Sequence, residues 1–349
     1  MDSITQGVLG AAAAQMIFGG PARLGRRAWL YGCVGGLAPD LDVFIRSSAD
    51  PLVALEYHRH FTHSLLFIPI GGTLVGLPWA LRPRHRARAA AVIAATTAGY
   101  ATHALLDAFT SYGTMILWPL SRARVAWNWI SIVDLGYTLP LLVGVVMAAR
   151  RLSPRWALAG LVAANLYLGL CGLQRWRARE AQDALIAGRG HHASRVEVFP
   201  TFFNQVTWRS LYVADGVVYA DKIRVPWSAA ARVSPGSSVP LLAEEDLAPE
   251  LRADPRTLGA FRLFGWFSDG WLAAAPGDPR ALGDLRYALR PGDVATMWRV
   301  HLDPTAAEPV RYVRESPQGL GPKVVWETLF EDGEGALLVG AMEPAGASP

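Results

Sequence analysis

Acidic and lysine side chains are almost absent from the first half of this chain, and their absence constrains its fold. Residues 1–174 of the 349-residue sequence hold only seven of the 29 acidic residues and neither lysine. A helix needs about 20 mostly apolar residues to cross a bilayer, so we expect a mainly α-helical polytopic membrane domain. Its six apolar segments lie at about 3–19, 29–45, 64–81, 89–109, 129–149 and 156–174.

The second half has the composition of a soluble domain. The other 22 acidic residues and both lysines follow residue 174. Stretches rich in β-branched and aromatic residues lie between Gly, Pro and Asp turns and predict strands at 217–227, 295–302 and 323–330. The two cysteines are both inside apolar runs and provide no disulfide framework. We therefore predict a membrane domain over 1–175, a basic connector over 176–195 and a β-rich domain over 196–349.

The distribution of arginine predicts an orientation. Loops on one side of the predicted membrane domain hold ten arginines, whereas those on the other side hold four. The positive-inside rule places the arginine-rich side in the cytoplasm, which makes the chain a multi-pass protein of a bacterial-type inner membrane with an extracytoplasmic C-terminal domain. The net charge of +4 comes largely from these loop arginines. It suits contact with the lipid bilayer, and we expect no nucleic-acid partner.

Four short clusters of aspartate and histidine abut or interrupt the apolar segments. Ionisable groups in hydrocarbon are costly and mark ion pairs, metal sites or wet cavities. In the predicted orientation all four clusters face the outer leaflet, so we treat them as one site. Imidazoles and carboxylates together are ligands of zinc, manganese or iron. The candidate metal ligands are Asp40, Asp42, His58, His63, His103 and Asp107.

Each cluster also has a simpler interpretation. His103 and Asp107 are four residues apart and share a helix face, so they can bind one ion, or the carboxylate can orient the imidazole as a structural pair. The histidines within 58–63 can be ligands or part of an interfacial loop. Asp40 and Asp42 can be ligands or solvated carboxylates in a turn at a helix end, although apolar residues flank them on both sides.

Further polar residues lie beside the candidate ligands. Arg59 and Arg122 would bind a phosphate group of a substrate, or else lipid headgroups. Asp2 has a second possible role as the N-cap of the first helix. The residues expected to support the ligands by hydrogen bonding are Asp2, Thr5, His60, Thr62 and Ser64.

These clusters together resemble a known family. The stretches 1–12 (MDSITQGVLGAA), 35–44 (GGLAPDLDVF), 58–67 (HRHFTHSLLF) and 102–114 (THALLDAFTSYGT) are similar, in this order, to the YdjM-like family, described as LexA-binding, inner-membrane-associated, metal-dependent hydrolases. The resemblance covers about residues 1–175. Many members have histidine where Gln6 stands, so we leave residue 6 out of the ligand set. The stretch 200–209 (PTFFNQVTWR) more weakly resembles the extra domain of longer members.

The resemblance implies a membrane-bound metal-dependent hydrolase. Its cofactor would be a divalent ion, with zinc preferred over manganese or magnesium. His63, Asp42 and Asp107 are the candidate catalytic residues, because any of them that does not bind the ion can act as general base. A site at the extracytoplasmic face favours a lipid or lipid-linked substrate. Two alternatives remain open: a regulatory or assembly protein with a structural metal, and an ion or solute transporter.

Overall fold

The computed structural model describes residues 1–288, 290–314, 326–327, 330–332 and 335–339. It divides into two compact units, one of residues 1–45 and 57–172 and the other of residues 46–56 and 173–349. The helices are α1 Ser3–Phe18, α2 Ala28–Leu37, α3 Val53–Tyr57, α4 Ile68–Ala80, α5 Ala89–Ala108, α6 Leu135–Arg151, α7 Pro154–Gly188, α8 Pro249–Ala253 and α9 Pro255–Phe267.

The first unit is helical, and its centre is the contact of α2 with α1 and α5. Glycine makes this contact close. A Cβ atom on Gly32 of α2 would lie 2.1 Å from the carbonyl oxygen of Gly10 in α1, and one on Gly99 of α5 would lie 2.1 Å from that of Gly32. Backbones that approach so closely leave no room for a side chain. The packing therefore fixes the relative positions of the three helices that carry part of the site.

The count of about six spans is not supported. Among the described residues, two helical stretches, Pro83–Ala108 and Pro154–Gly188, are long and apolar enough to cross a membrane, and a pair bent by 60°, Val53–His63 and Leu65–Ala80, makes a third if it counts as one span. The other apolar segments form shorter helices because specific residues end them early. Pro39 follows the 10-residue α2, and Asp134 is the N-cap of the 17-residue α6, so the first residues of the segment predicted over 129–149 lie outside the helix.

The second unit is rich in sheet, as the sequence predicts. Its strands are β1 Arg195–Pro200, β2 Thr207–Ala214, β3 Val217–Arg224, β4 Arg232–Ser234, β5 Ser238–Pro240, β6 Leu272–Ala275, β7 Asp278–Asp284, β8 Trp298–Leu302, β9 Val310–Arg314 and β10 Leu337–Leu338. Among the described residues, one antiparallel sheet has the order β1-β2-β3-β4-β10 with β5 beside β3, and a second has the order β6-β7-β8-β9.

Strand β2 is buried on both faces, which places it at the centre of the second unit. Because side chains alternate along a strand, Trp208 and Tyr212 belong to one apolar core together with Ala181 and Leu185 of α7. Leu211 lies in a second core on the other face, with residues of β1, β3 and β6. The sheet therefore has apolar partners on both sides.

Two of the three predicted strand regions are strands. The stretch 217–227 contains β3, and 295–302 contains β8. In the third, residues 323–325 and 328–329 lie outside the described residues, and Trp326, Glu327 and Phe330 are helical. The predicted connector at 176–195 is mostly helix, since α7 extends to Gly188 before β1 begins.

Candidate metal centre

The four polar clusters of the first unit meet where several helices begin or end. Asp40 and Asp42 lie in the 3-10 turn Pro39–Phe44, which directly follows α2. His63 ends the short turn Phe61–His63 ahead of α4, and His103 and Asp107 lie in the last two turns of α5. Alternating helix directions thus bring residues that are far apart in sequence to one place.

Four side-chain atoms converge at this place with the spacing of metal ligands. His63 Nε2 lies 3.6 Å from Asp40 Oδ1 and 3.4 Å from Asp107 Oδ2, and His103 Nε2 lies 3.2 Å and 3.4 Å from the same two oxygens. Ligands 2.0–2.1 Å from a tetrahedral ion would be about 3.3–3.4 Å apart. The spacing therefore fits one ion between two imidazoles and two carboxylates, a group that can hold a metal.

Three of the four atoms that face this point have no hydrogen-bond partner. His63 Nε2, His103 Nε2 and Asp107 Oδ2 are buried and make no hydrogen bond, although Asp107 Oδ2 is also ion-paired with Arg59 Nε at 3.0 Å. Buried polar atoms are nearly always satisfied in folded proteins, so three such atoms directed at one point need an explanation. A cation among them would provide it.

Hydrogen bonds on the far edge of each ring present the Nε2 atoms to the site. His103 Nδ1 donates to the carbonyl oxygen of Gly36 over 2.6 Å. His63 Nδ1 lies 2.9 Å from Thr62 Oγ1, whose hydroxyl donates to Asp42 Oδ2 over 2.8 Å. With Nδ1 as the donor, Nε2 keeps its lone pair for a metal. Such contacts orient the ligands of known metal sites.

Asp42 lies behind His63 rather than among the four converging atoms. Its Oδ1 is 2.7 Å from His58 Nδ1, and its Oδ2 accepts the backbone N–H of Arg59 over 2.9 Å. Asp40, Asp42 and His58 nevertheless form a second group with ligand spacing, which shares Asp40 with the first. Asp42 therefore links the two groups and orients both of its histidine neighbours.

One side of the cluster is open. The side chains of His63, His103 and Asp107 are completely buried, whereas those of Asp40 and His58 are 23% and 20% exposed. A small molecule or water can therefore approach on the side formed by Asp40 and His58. The other three side chains form the closed floor of the site.

Asp107 has the largest number of charged and polar neighbours. Its Oδ1 accepts from Gln6 Nε2 over 2.8 Å and from the Met1 α-ammonium over 2.5 Å, and its Oδ2 lies 3.0 Å from Arg59 Nε. These partners balance only part of the local charge. With neutral imidazoles, the three carboxylates of Asp40, Asp42 and Asp107 outnumber the two cations, and the remaining negative charge would favour a bound cation.

Arg59 is a buried part of this site. Its backbone has a φ of 62°, and its guanidinium lies 4.7 Å from the centre of the Tyr112 ring. Arg59 Nη1 also donates to Thr110 Oγ1 over 2.9 Å. The predicted second cation, Arg122, is exposed, and the other arginine on the Tyr112 ring is Arg124, at 5.2 Å.

Of the supporting residues predicted from sequence, Thr62 is hydrogen-bonded to the cluster, and the four others have local roles. Asp2 caps α1 by accepting from Thr5, and Thr5 Oγ1 also lies 2.6 Å from Thr138 Oγ1. Ser64 caps the turn Leu65–Phe67. His60 packs against aromatic rings, with the Trp118 ring 5.3 Å away.

Two supporting contacts were not predicted. The carbonyl of Gly36 positions His103, and Gln6 holds Asp107. Nothing in the sequence distinguishes a carbonyl that accepts from a histidine. Gln6 did carry a signal, because a buried amide in an apolar helix needs a partner, and the first helix begins beside the other clusters.

Comparison with known proteins gives one match. The family model described as YdjM inner membrane protein matches residues 1–178. No curated protein and no solved structure matches the chain. The matched region includes all four polar clusters and ends within α7.

Proposed function

The chain belongs to the YdjM inner membrane protein family, and we propose that it is a membrane-bound hydrolase that depends on a divalent metal. Asp40, His63, His103 and Asp107 would hold the ion. The observation that supports this proposal is the convergence of four ligand atoms, with imidazole–carboxylate distances of 3.2–3.6 Å, beside an open side; three of the four are buried and make no hydrogen bond. Zinc fits the spacing best, and manganese or magnesium also accepts carboxylate ligands.

The open side is what favours catalysis. A divalent ion in such a site lowers the pKa of a water molecule and polarises a carbonyl or phosphoryl oxygen. His58 is the group best placed to transfer a proton there, because its Nδ1 is engaged by Asp42 and its ring is partly exposed. A pair of this kind is a typical general base.

Arg59 would provide the positive charge for an anionic group. Its guanidinium is held by Asp107, Thr110 and the Tyr112 ring, so little conformational entropy is lost when a ligand binds. An inner membrane location and an open side next to a helix end favour a lipid or lipid-linked phosphate or ester as the substrate. This assignment rests on location and charge.

A non-catalytic protein with a structural metal is the second candidate. One observation favours it: four protein ligands would complete a tetrahedral shell, and structural zinc sites are closed in this way. Zinc can accept a fifth ligand during catalysis, so four protein ligands are compatible with both functions. A hydrolase needs residues outside the four ligands for catalysis, whereas a structural site does not.

The test uses the full chain purified in detergent, stripped by a chelator and then supplied with zinc, manganese or magnesium. We expect hydrolysis of an ester, amide or phosphoester, including phospholipid substrates, only when metal is restored. Asp107→Asn should abolish both metal retention and hydrolysis. His58→Gln should reduce kcat while the ion in the four-ligand group is retained, because His58 lies outside that group.

The control is His85→Ala. His85 lies in the helical stretch Pro83–Ala108, at the end away from Asp107, and contacts Tyr31 and Trp79. This variant should keep both metal and activity. If the wild type binds metal but hydrolyses none of these substrates, and loss of metal lowers thermal stability, the structural function replaces the hydrolase.

A further inference from the structure

Four large aromatic side chains are exposed at one end of the first sheet. Phe202 and Phe203 lie in the loop between β1 and β2, Trp227 follows β3, and Trp176 lies on α7; each is between 43% and 56% exposed. The end of β1, the start of β2 and the end of β3 are paired neighbours. The two loops therefore emerge at the same edge of the sheet.

The loop that carries the two phenylalanines has a defined structure. Asn204 Nδ2 donates to the carbonyl oxygen of Phe202 over 2.9 Å, and Asn204 Oδ1 accepts the backbone N–H groups of Val206 and Thr207. Phe203 has a φ of 63°, a conformation that costs energy for a bulky residue. An ordered loop that exposes two adjacent aromatic rings indicates a binding role for those rings.

Hydrogen bonds tie both loops to one turn of α7. Gln174 Nε2 donates to the carbonyl oxygens of Gln205, over 2.9 Å, and Val225, over 2.8 Å. Arg177 Nη2 donates to the carbonyl oxygen of Pro226 over 2.8 Å. Since Trp176 projects from this same turn, all four aromatic side chains belong to one structural element, which we call the aromatic edge.

The helix that supports the aromatic edge is a candidate membrane span. Only 28% of the apolar window of α7 is buried inside the protein. Three arginines, at positions 175, 177 and 179, come shortly after Leu173 in α7. The apolar side chains exposed along it, at spacings of three or four residues, are Leu158, Val162, Leu166, Leu170 and Leu173.

We propose that the aromatic edge inserts into the headgroup region of the bilayer. Trp and other aromatic residues with arginine beside them are typical of the membrane–water interface, and the edge continues the exposed apolar surface of α7 at the point where arginines begin. The second unit would then contact the membrane through its own loops as well as through α7. This inference is independent of the metal site.

The bilayer is favoured over a protein partner because of this continuity. Trp176 is on the same helix as the exposed apolar residues, three positions after Leu173 and flanked by Arg175 and Arg177. If the preceding turns of α7 lie in the bilayer, a protein partner could reach Trp176 only from the side away from the bilayer. Lipid that surrounds those turns would contact Trp176 directly.

Spin-label accessibility on the full chain tests the proposal. Phe203→Cys and Trp227→Cys are labelled with a nitroxide after reconstitution into nanodiscs of phosphatidylethanolamine and phosphatidylglycerol. Collisions with oxygen, which concentrates in lipid, are compared with those of a water-soluble nickel chelate. The matched control is Asp215→Cys in the exposed β2–β3 turn, at the opposite end of the same strands. Label-treated wild type corrects for Cys33 and Cys171, which are half-buried and buried.

We expect positions 203 and 227 to favour oxygen over the nickel chelate and position 215 to favour the chelate. Equal, high nickel accessibility at all three positions would overturn the proposal. Low accessibility to both reagents at 203 and 227 would also overturn it, because it would mean that protein rather than lipid covers the edge.

Discussion

At the scale of single residues, the hydrogen bond made by Nδ1 of each imidazole ring determines whether Nε2 is free to bind a metal. His103 is held by a carbonyl and His63 by the hydroxyl of Thr62, and in both cases the contact uses Nδ1. Both Nε2 atoms therefore face Asp40 and Asp107 without a competing partner. A histidine that donated from Nε2 instead would leave the site with a hydrogen where a ligand lone pair is needed.

Removing one of these rings should remove the metal. His103→Ala deletes a ligand from the floor of the site, and we expect metal content after purification to fall to background. Membrane insertion should be nearly unchanged, because packing and lipid hold the helices. Elemental analysis of the purified protein measures the ion. His85→Ala should retain the wild-type amount, and equal loss in both variants would show that the effect comes from general destabilisation.

The hydroxyl of Thr62 should affect metal affinity without binding the ion itself. Thr62→Val keeps the shape of the side chain but removes the hydroxyl that bridges His63 Nδ1 and Asp42 Oδ2, and leaves only the direct 3.2 Å contact between those two atoms. We expect metal affinity to fall by about 10–100-fold, the usual effect of changes behind a ligand. Competition with a fluorescent chelator measures it.

Thr102→Val is the matched control, since Thr102 Oγ1 bonds only to the carbonyl of Gly99 in its own helix among the described contacts. An unchanged affinity in Thr62→Val would contradict the role given to Thr62.

Sequence predicts the donors of this site better than their supports. Asp40, His63 and Asp107 are conspicuous because charged and imidazole side chains are rare in apolar segments. Arg59 was assigned to a substrate phosphate, and its ion pair with Asp107 and its left-handed backbone could not be foreseen, because both depend on a loop conformation that no local pattern encodes. The roles of the ligands themselves stay predictions.

At the scale of elements, glycine in α2 positions the site. Gly35 and Gly36 lie one turn before Asp40, and Gly32 contacts both neighbouring helices. Small residues let helices approach closely in membranes. Because α1 carries Gln6, α2 leads to Asp40 and α5 carries His103, the distance between these helices sets the distance between ligands.

Adding one methyl group in this contact should therefore disturb both stability and metal binding. Gly32→Ala would place Cβ 2.1 Å from the carbonyl oxygen of Gly10. We expect the free energy of unfolding to fall by about 1–3 kcal/mol, as for other overpacked sites, and metal binding to weaken. Thermal unfolding in detergent measures the first effect, and chelator competition measures the second.

Gly169→Ala is the comparison, because a Cβ on Gly169 in α7 has no neighbour within 4 Å. It should be neutral or slightly stabilising, since alanine favours a helix by up to about 1 kcal/mol over glycine. Wild-type stability in Gly32→Ala would mean that the helices can separate without loss.

Helix ends explain why the predicted number of spans is not supported. Hydropathy registers composition but not where a helix stops, so the segment over 129–149 includes residues before Asp134 that are not helical. The segment over 156–174 has the opposite error, because α7 continues through arginines and glutamines to Gly188. The part of α7 after Arg175 has a helical apolar period, with Ala178, Ala181 and Leu185 buried, but its mean hydropathy is too low for a search for apolar segments to detect it.

At the scale of the whole molecule, polar chemistry and arginine occupy opposite ends of the helices in the first unit. Asp40 follows the end of α2 and Asp107 ends α5, whereas Arg27 precedes α2 and Arg88 precedes α5. The same division holds for α4, which is followed by Arg82, and for α6, which ends at Arg151. It does not hold for α7, whose apolar part lies between Arg155 and Arg175. From this division the positive-inside rule predicts that the candidate metal site lies on the extracytoplasmic side.

This orientation predicts which positions react from outside an intact cell. Asp215→Cys, in the exposed β2–β3 turn, and Arg86→Cys, in the exposed turn before α5, are placed on opposite sides of the membrane by the arginine count. A membrane-impermeant maleimide should label position 215 in cells with a permeable outer envelope and label position 86 only after the inner membrane is opened. The wild type, whose two cysteines are half-buried or buried, should label weakly in both. The reverse pattern would place the metal site and the second unit in the cytoplasm, and substrates would then have to be sought on that side.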